Sequence, residues 1–201
     1  MNQRFANKVI MITGAGSGLG RAVAERLAGE GAILSLSDVN MASLEETRAQ
    51  VLAINSATQT LLLTANVAVE ADVKAFVDKT VETFGRVDGL YNNAGIEGKQ
   101  NPVADYGSAE FDRVIDINLK GVFYGMKYTL PHLAKQGSGA IVNASSVGGT
   151  RAVANQIGYG ASKAAVAGMT RDAAIEYGQY GISVNAIAPG ATMTAMVKGS
   201  L

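Results

Sequence analysis

The chain has 201 residues, 48% of them hydrophobic and 17% charged, which is enough apolar material for one domain with a real core and too much for a disordered chain. Seventeen Lys and Arg balance seventeen Asp and Glu, so the net charge is zero and nothing draws the chain to nucleic acid or to an anionic membrane. Cysteine is absent, which excludes disulfides, thiolate metal sites and a cysteine nucleophile. The Asp and Glu residues show no metal-ligand spacing and the one histidine, His132, cannot build a metal site, so no metal is expected.

The N-terminal segment MNQRFANKVIMIT lacks the long apolar run of a leader or a membrane span, so a soluble cytoplasmic protein is expected. Short β-rich runs follow at 8–13, 32–37, 60–65, 87–93, 139–145 and 182–188. Most are continuously apolar, as strands buried on both faces of a parallel sheet are. Helical patterns separate them at 18–29, 41–54, 69–84, 108–136 and 157–178. This alternation predicts a doubly wound α/β fold, a Rossmann-type parallel sheet, over residues 1–201 as a single domain. The 157–178 pattern is small or apolar around most of its circumference. One side must face the sheet, and the other meets either the rest of the domain or a second subunit.

Between the first strand and first helix stands ITGAGSGLGRAV, with glycines at 14, 16, 18 and 20. Leu19 occupies the place where G-x-G-x-x-G requires its third glycine. Taken alone the stretch is either a nucleotide-binding turn or a flexible loop. Its place between strand and helix favours the turn, because the helix start offers free N–H groups to a phosphate. Asp38, at the end of the second strand, can accept hydrogen bonds from ribose hydroxyls and repel a 2′-phosphate. No Arg or Lys adjoins it, so NAD is expected over NADP. The competing reading of Asp38 is a cap on the helix beginning MASLEE.

Tyr159 and Lys163 are spaced i, i+4 in YGASK, on one helix face. An ammonium near a phenol stabilises the phenolate, so such a pair can exchange a proton with an alcohol or ketone. The same spacing also occurs as an ordinary surface pair.

With these motifs in order, the chain resembles the short-chain dehydrogenase/reductase family over essentially its whole length. The resemblance rests on Thr13-Gly14, Gly18 and Gly20 as TGxxxGxG, NNAG at 92–95, Asn118 in INLKG, Ser146 thirteen residues before Tyr159, YGASK, and PGATMT at 189–194. Gly16 falls outside that pattern and carries less weight.

The resemblance implies Tyr159 as general acid/base and Ser146 as the residue holding the substrate oxygen, Ser145 being one residue off the spacing. It implies Lys163 as the partner that stabilises the phenolate and holds the nicotinamide ribose, and Asn118 as the anchor of a proton-relay water. Cofactor contacts are implied for Gly14, Ser17, Gly18, Leu19, Asp38, Asn66, Val67, Asn93, Ala94, Gly95, Tyr159, Lys163, Pro189, Gly190, Thr192 and Thr194. Asn66-Val67 departs from the Asp-Val frequent at that place.

The loop IEGKQNP, 96–102, is similar to that of family members acting on a cyclic ketone and its alcohol. A small cyclic alcohol or ketone is the expected substrate, with Glu97 either bonding a second polar group on it or simply solvated. The alternatives are a sugar, a 3-oxoacyl thioester, or a nucleotide-binding regulatory protein without turnover. A homo-oligomer, favouring a tetramer, is expected, paired through the 108–136 and 157–178 helices. Family chains continue past PGxxxT with a substrate-covering segment and a last strand. The chain ending Lys198-Gly199-Ser200-Leu201 is therefore expected to be incomplete.

Overall fold

A computed structural model describes residues 3–194, and its strands and helices alternate from the N-terminus onward. The strands are β1 (Val9–Thr13), β2 (Ile33–Asp38), β3 (Thr60–Thr64), β4 (Gly89–Asn92), β5 (Gly139–Ala144) and β6 (Ile182–Ile187). The helices are α1 (Gly18–Gly29), α2 (Met41–Ile54), α3 (Glu70–Phe84), α4 (Ser108–Ile115), α5 (Gly121–Gln136) and α6 (Ile157–Gly178). All six strands run parallel in the order β3-β2-β1-β4-β5-β6. The order reverses between β1 and β4, and the crevice at such a switch point is where open α/β sheets bind ligands.

Two apolar cores explain the continuous strand runs. On one face Met11, Leu90, Ile141 and Val184 pack against Phe76 and Val77 of α3, Val122 and Leu133 of α5, and Val166 of α6. On the other, Ile12, Leu34 and Leu36 pack against Ala24 and Ala28 of α1 and Leu44 and Val51 of α2. Alternate residues of one strand thus enter different cores, and the polar residues buried among them, such as Ser35 and Asn143, are hydrogen-bonded to Thr80 and Thr170 of the covering helices. Helix α6 is not buried all round. Val166, Thr170 and Ala173 are buried within the domain, while Ile175 is 82% exposed. β6 forms the sheet's edge among the described residues, with Ile187 41% exposed. The expectation attached to Lys198-Gly199-Ser200-Leu201 lies outside the described residues.

One expected element divides. The helix read over 108–136 is interrupted by a π-helical turn at Asp116–Lys120. The extra residue turns Asn118 fully inward. There its side-chain oxygen accepts from the Ile96 N–H at 2.8 Å, and its amide donates to the Ile96 carbonyl at 2.8 Å and to Ser162 Oγ at 3.2 Å. Such single-turn insertions recur at functional sites. The apolar pattern on either side is continuous, so it gives no sign of the break.

Candidate active site

The glycine turn is built by close approach. Gly14 has φ +64°, and a Cβ there would lie 2.8 Å from Ala94 Cα. A Cβ on Gly20 would overlap the Gly14 carbonyl oxygen. The NNAG segment is stitched to the turn from the opposite side. The N–H groups of Asn93 and Ala94 donate to Thr13 Oγ1 at 3.0 and 3.1 Å, and Asn93 Nδ2 donates to the Thr13 carbonyl at 3.0 Å. Helix α1 begins at Gly18 behind Ser17, which makes no side-chain capping bond, and its first turn has no acidic residue. Its leading N–H groups are therefore left to an external anion. Thr194 closes over this start, with its Cγ2 3.3 Å from where a Gly18 Cβ would stand.

Asp38 does not cap α2. That role belongs to Asn40, whose side chain accepts from the Ser43 N–H at 3.2 Å. The Asp38 carboxylate instead accepts from the Gly16 N–H at 3.0 Å and the Asn40 N–H at 3.1 Å, and it faces the cleft. Gly16 is consequently not spare, since a Cβ on it would lie 2.9 Å from both Asp38 Oδ2 and Ser43 Cβ.

At the far end of the cleft stand Ser146, Tyr159 and Lys163. Ser146 follows β5, and its Oγ accepts from the Gly148 N–H at 3.1 Å. A Cβ on Gly148 would lie 3.3 Å from Tyr159 Cε1 and 3.5 Å from Ser146 Oγ, which places hydroxyl and phenol ring together. Ser145 is buried instead, and its hydroxyl donates to the Lys163 carbonyl at 2.8 Å.

Lys163 is only 4% exposed. Its ammonium donates to the Ala144 carbonyl at 2.7 Å and lies 5.8 Å from the Tyr159 ring centroid. Burial, which disfavours the charged form, pulls its pKa down from 10.5 to about 8. Gly95 brings Lys163 and Asn118 to one place, since a Cβ there would lie 3.3 Å from Lys163 Nζ and 3.2 Å from Asn118 Oδ1.

A single cleft of about 320 Å³ joins the turn to this group. Every residue assigned from sequence to the cofactor lines it: Gly14, Ser17, Gly18, Leu19, Asp38, Asn66, Val67, Asn93, Ala94, Gly95, Tyr159, Lys163, Pro189, Gly190, Thr192 and Thr194. Two assigned residues stand back from the wall. Asn118 acts from behind through Ile96, and Glu97 accepts hydrogen bonds from Gln100 and Gln156. Sequence reasoning missed the lining residues Val39, Ala65, Ile96, Ile117 and Ala144, all apolar and marked by no motif. Val39 follows Asp38 directly and is 66% exposed, which only the folded chain shows. Among the described residues no group of three or more His, Cys, Asp or Glu could hold a metal. No described helix is long and apolar enough to cross a membrane.

Residues 8–200 match the short chain dehydrogenase family. The chain belongs to that family. It is 54% identical over 198 residues to levodione reductase of Leifsonia aquatica, covering 98% of this chain and 74% of that one. Cyclohexanol dehydrogenase of Acinetobacter sp. (strain SE19) is 39% identical over 197 residues, 98% of this chain and 78% of its own. Among solved structures, levodione reductase superposes with a TM-score of 0.97 at 55% identity, covering 98% of this chain and 76% of that one. NAD+-bound xylitol dehydrogenase superposes with a TM-score of 0.90 at 40% identity, covering 93% and 71%. The chain is an oxidoreductase of the alcohol dehydrogenase type.

Proposed function

We propose that the protein interconverts a small cyclic secondary alcohol and its ketone with NAD(H). The observation that carries this reading is the shared cleft. The glycine turn and Asp38 stand at one end, and Ser146, Tyr159 and Lys163 at the other. The residues fit a dinucleotide, because Gly14 and Gly20 leave no room for side chains where a backbone must be approached closely, and the start of α1 is uncapped by any side chain. Asp38 would receive the adenosine ribose, Ser17 to Leu19 the pyrophosphate, and Thr192, Thr194 and Lys163 the nicotinamide half. When bound, that group supplies or accepts the hydride.

The chain itself handles one proton. Ser146 Oγ holds the substrate oxygen against Tyr159, whose phenol gives its proton to a forming alcohol and whose phenolate takes one from a reacting alcohol. Lys163, held on the Ala144 carbonyl beside the ring, stabilises the phenolate that results. Asn118 keeps a lone pair near Lys163 for a water that refills the proton.

NAD is favoured over NADP because Asp38 faces the cleft, and the nearby cation, Arg21, is already engaged by Glu46, Thr47, Ser43 and Gly16. The substrate class follows levodione reductase and cyclohexanol dehydrogenase, whose names state cyclic substrates. Glu97 stands in the entrance loop, where it would meet a second polar group on such a ring. Self-association, as a tetramer, and a cytoplasmic location complete the proposal. Light scattering on the purified protein tests the first and fractionation the second.

The decisive assay is initial rates on a panel of cyclic ketones, linear ketones, sugars and 3-oxoacyl thioesters, each with NADH and NADPH. The highest kcat/KM is expected for a cyclic ketone with NADH. Binding of NADH with turnover of no substrate would support a nucleotide-binding regulator instead.

A further inference from the structure

We infer that Arg21 sets cofactor preference as a positioning residue, acting on Asp38 through Thr47 and the backbone on either side of Gly16. Four consecutive backbone groups in the outer arm of the glycine turn are each held. The Ala15 N–H donates to the Ser37 carbonyl at 3.0 Å, and the Ala15 carbonyl accepts from Thr47 Oγ1 at 2.9 Å. The Gly16 N–H donates to Asp38 Oδ2 at 3.0 Å, and the Gly16 carbonyl accepts from Arg21 Nη2. The same guanidinium donates through Nε to Thr47 Oγ1 at 2.9 Å, and through Nη2 to the Ser43 carbonyl at 3.3 Å and Glu46 Oε2 at 3.0 Å. Arg21 therefore ties the first turn of α1, the glycine turn and α2 into one unit.

The Ala15–Gly16 peptide is gripped from both ends, by Asp38 at the Gly16 N–H and by Thr47 at the Ala15 carbonyl, and Arg21 holds the carbonyl of the next peptide and Thr47 Oγ1 itself. Removing Arg21 leaves the Gly16 carbonyl with no side-chain partner and frees the Thr47 hydroxyl to turn to its other acceptor, the Ser43 carbonyl at 3.1 Å. The Ala15–Gly16 peptide can then tilt, and the Gly16 N–H stops holding Asp38 Oδ2 where a ribose hydroxyl must find it. A planar five-donor fork suits this task, whereas a lysine ammonium cannot serve Gly16 and Thr47 in the same geometry.

The inference rests on the reading of Asp38 as the ribose acceptor, and the experiment separates the two. Dissociation constants for NADH and NADPH are measured by fluorescence titration of the wild type, Arg21→Met, Asp38→Ala, the double variant and Glu46→Gln. Arg21→Met is expected to weaken NADH about tenfold, the size of a lost charge-assisted hydrogen bond, while NADPH changes less than threefold. In the Asp38→Ala background the same change should add less than twofold, since residues acting as one unit are not additive. Glu46→Gln, which loses only an exposed ion pair, should leave NADH affinity unchanged.

A wild type without preference for NADH overturns the reading of Asp38. A wild type that prefers NADH, combined with an Arg21→Met effect that is absent, equal for both nucleotides or undiminished in Asp38→Ala, overturns the role of Arg21 alone. If Arg21→Met does not fold, Thr47→Val decides by the same criteria, because it removes both the donor to Ala15 and an acceptor of Arg21.

Discussion

Lys163→Met should leave the protein about as stable as the wild type at pH 7 while abolishing turnover. Burial holds the Lys163 pKa at about 8, against 10.5 for a free lysine. At about 1.4 kcal/mol per pH unit, burying this charge opposes folding by about 3 kcal/mol at neutral pH. The hydrogen bond to the Ala144 carbonyl, lost in the variant, is worth about 2 kcal/mol for a charged donor. The two contributions are of similar size, so at pH 7 the variant should match the wild type within about 2 kcal/mol.

The pH dependence has a definite sign. Below pH 8 the lysine is protonated in both folded and unfolded chains, and the wild type bears the full penalty. Between pH 8 and 10.5 the folded protein releases its proton first, and the penalty fades. The wild type should therefore gain about 2 kcal/mol on Lys163→Met between pH 7 and pH 10. Urea unfolding of both proteins without nucleotide, each in a Tyr159→Phe background, at the two pH values, measures the difference, in which titrating groups remote from Lys163 cancel. A stability difference that does not change with pH would refute the argument, as would a variant several kcal/mol less stable at pH 7.

Tyr159→Phe should lower kcat by about 10³-fold, in the range of a lost general acid/base, with NADH affinity within about twofold by fluorescence titration. The two serines should separate cleanly. Ser146→Ala should cost about 10²-fold in kcat/KM. Ser145→Ala should cost about 1 kcal/mol of stability in urea unfolding, from its buried bond to the Lys163 carbonyl, with kcat/KM within about threefold. Gly20→Ala places a methyl on the Gly14 carbonyl and 2.7 Å from Asn93 Nδ2. It should destabilise the fold by about 1–3 kcal/mol and remove measurable NADH binding.

What the sequence made legible, and what it hid, divides along one physical line. Features set by local pattern could be read directly. Helices α1, α2 and α6 occupy the residues their periodicity assigns, and the strands lie within two residues of the apolar runs, because burial on both faces leaves little freedom in where they end. The resemblance implied Ser146 rather than Ser145, and the commitment of Ser145 to the Lys163 carbonyl is visible only in three dimensions.

The hidden features all depend on contacts between segments distant in sequence. The π turn at Asn118 exists to satisfy Ile96, twenty-two residues away. Gly16 looked dispensable because its neighbour in space, Asp38, also lies twenty-two residues on. No motif marks Arg21, yet its guanidinium reaches Ser43, Glu46 and Thr47 of α2. A motif records which positions a site needs to keep small or reactive. It does not record which side chains hold the intervening peptides still, and in this turn that work falls to residues on either side of the glycines.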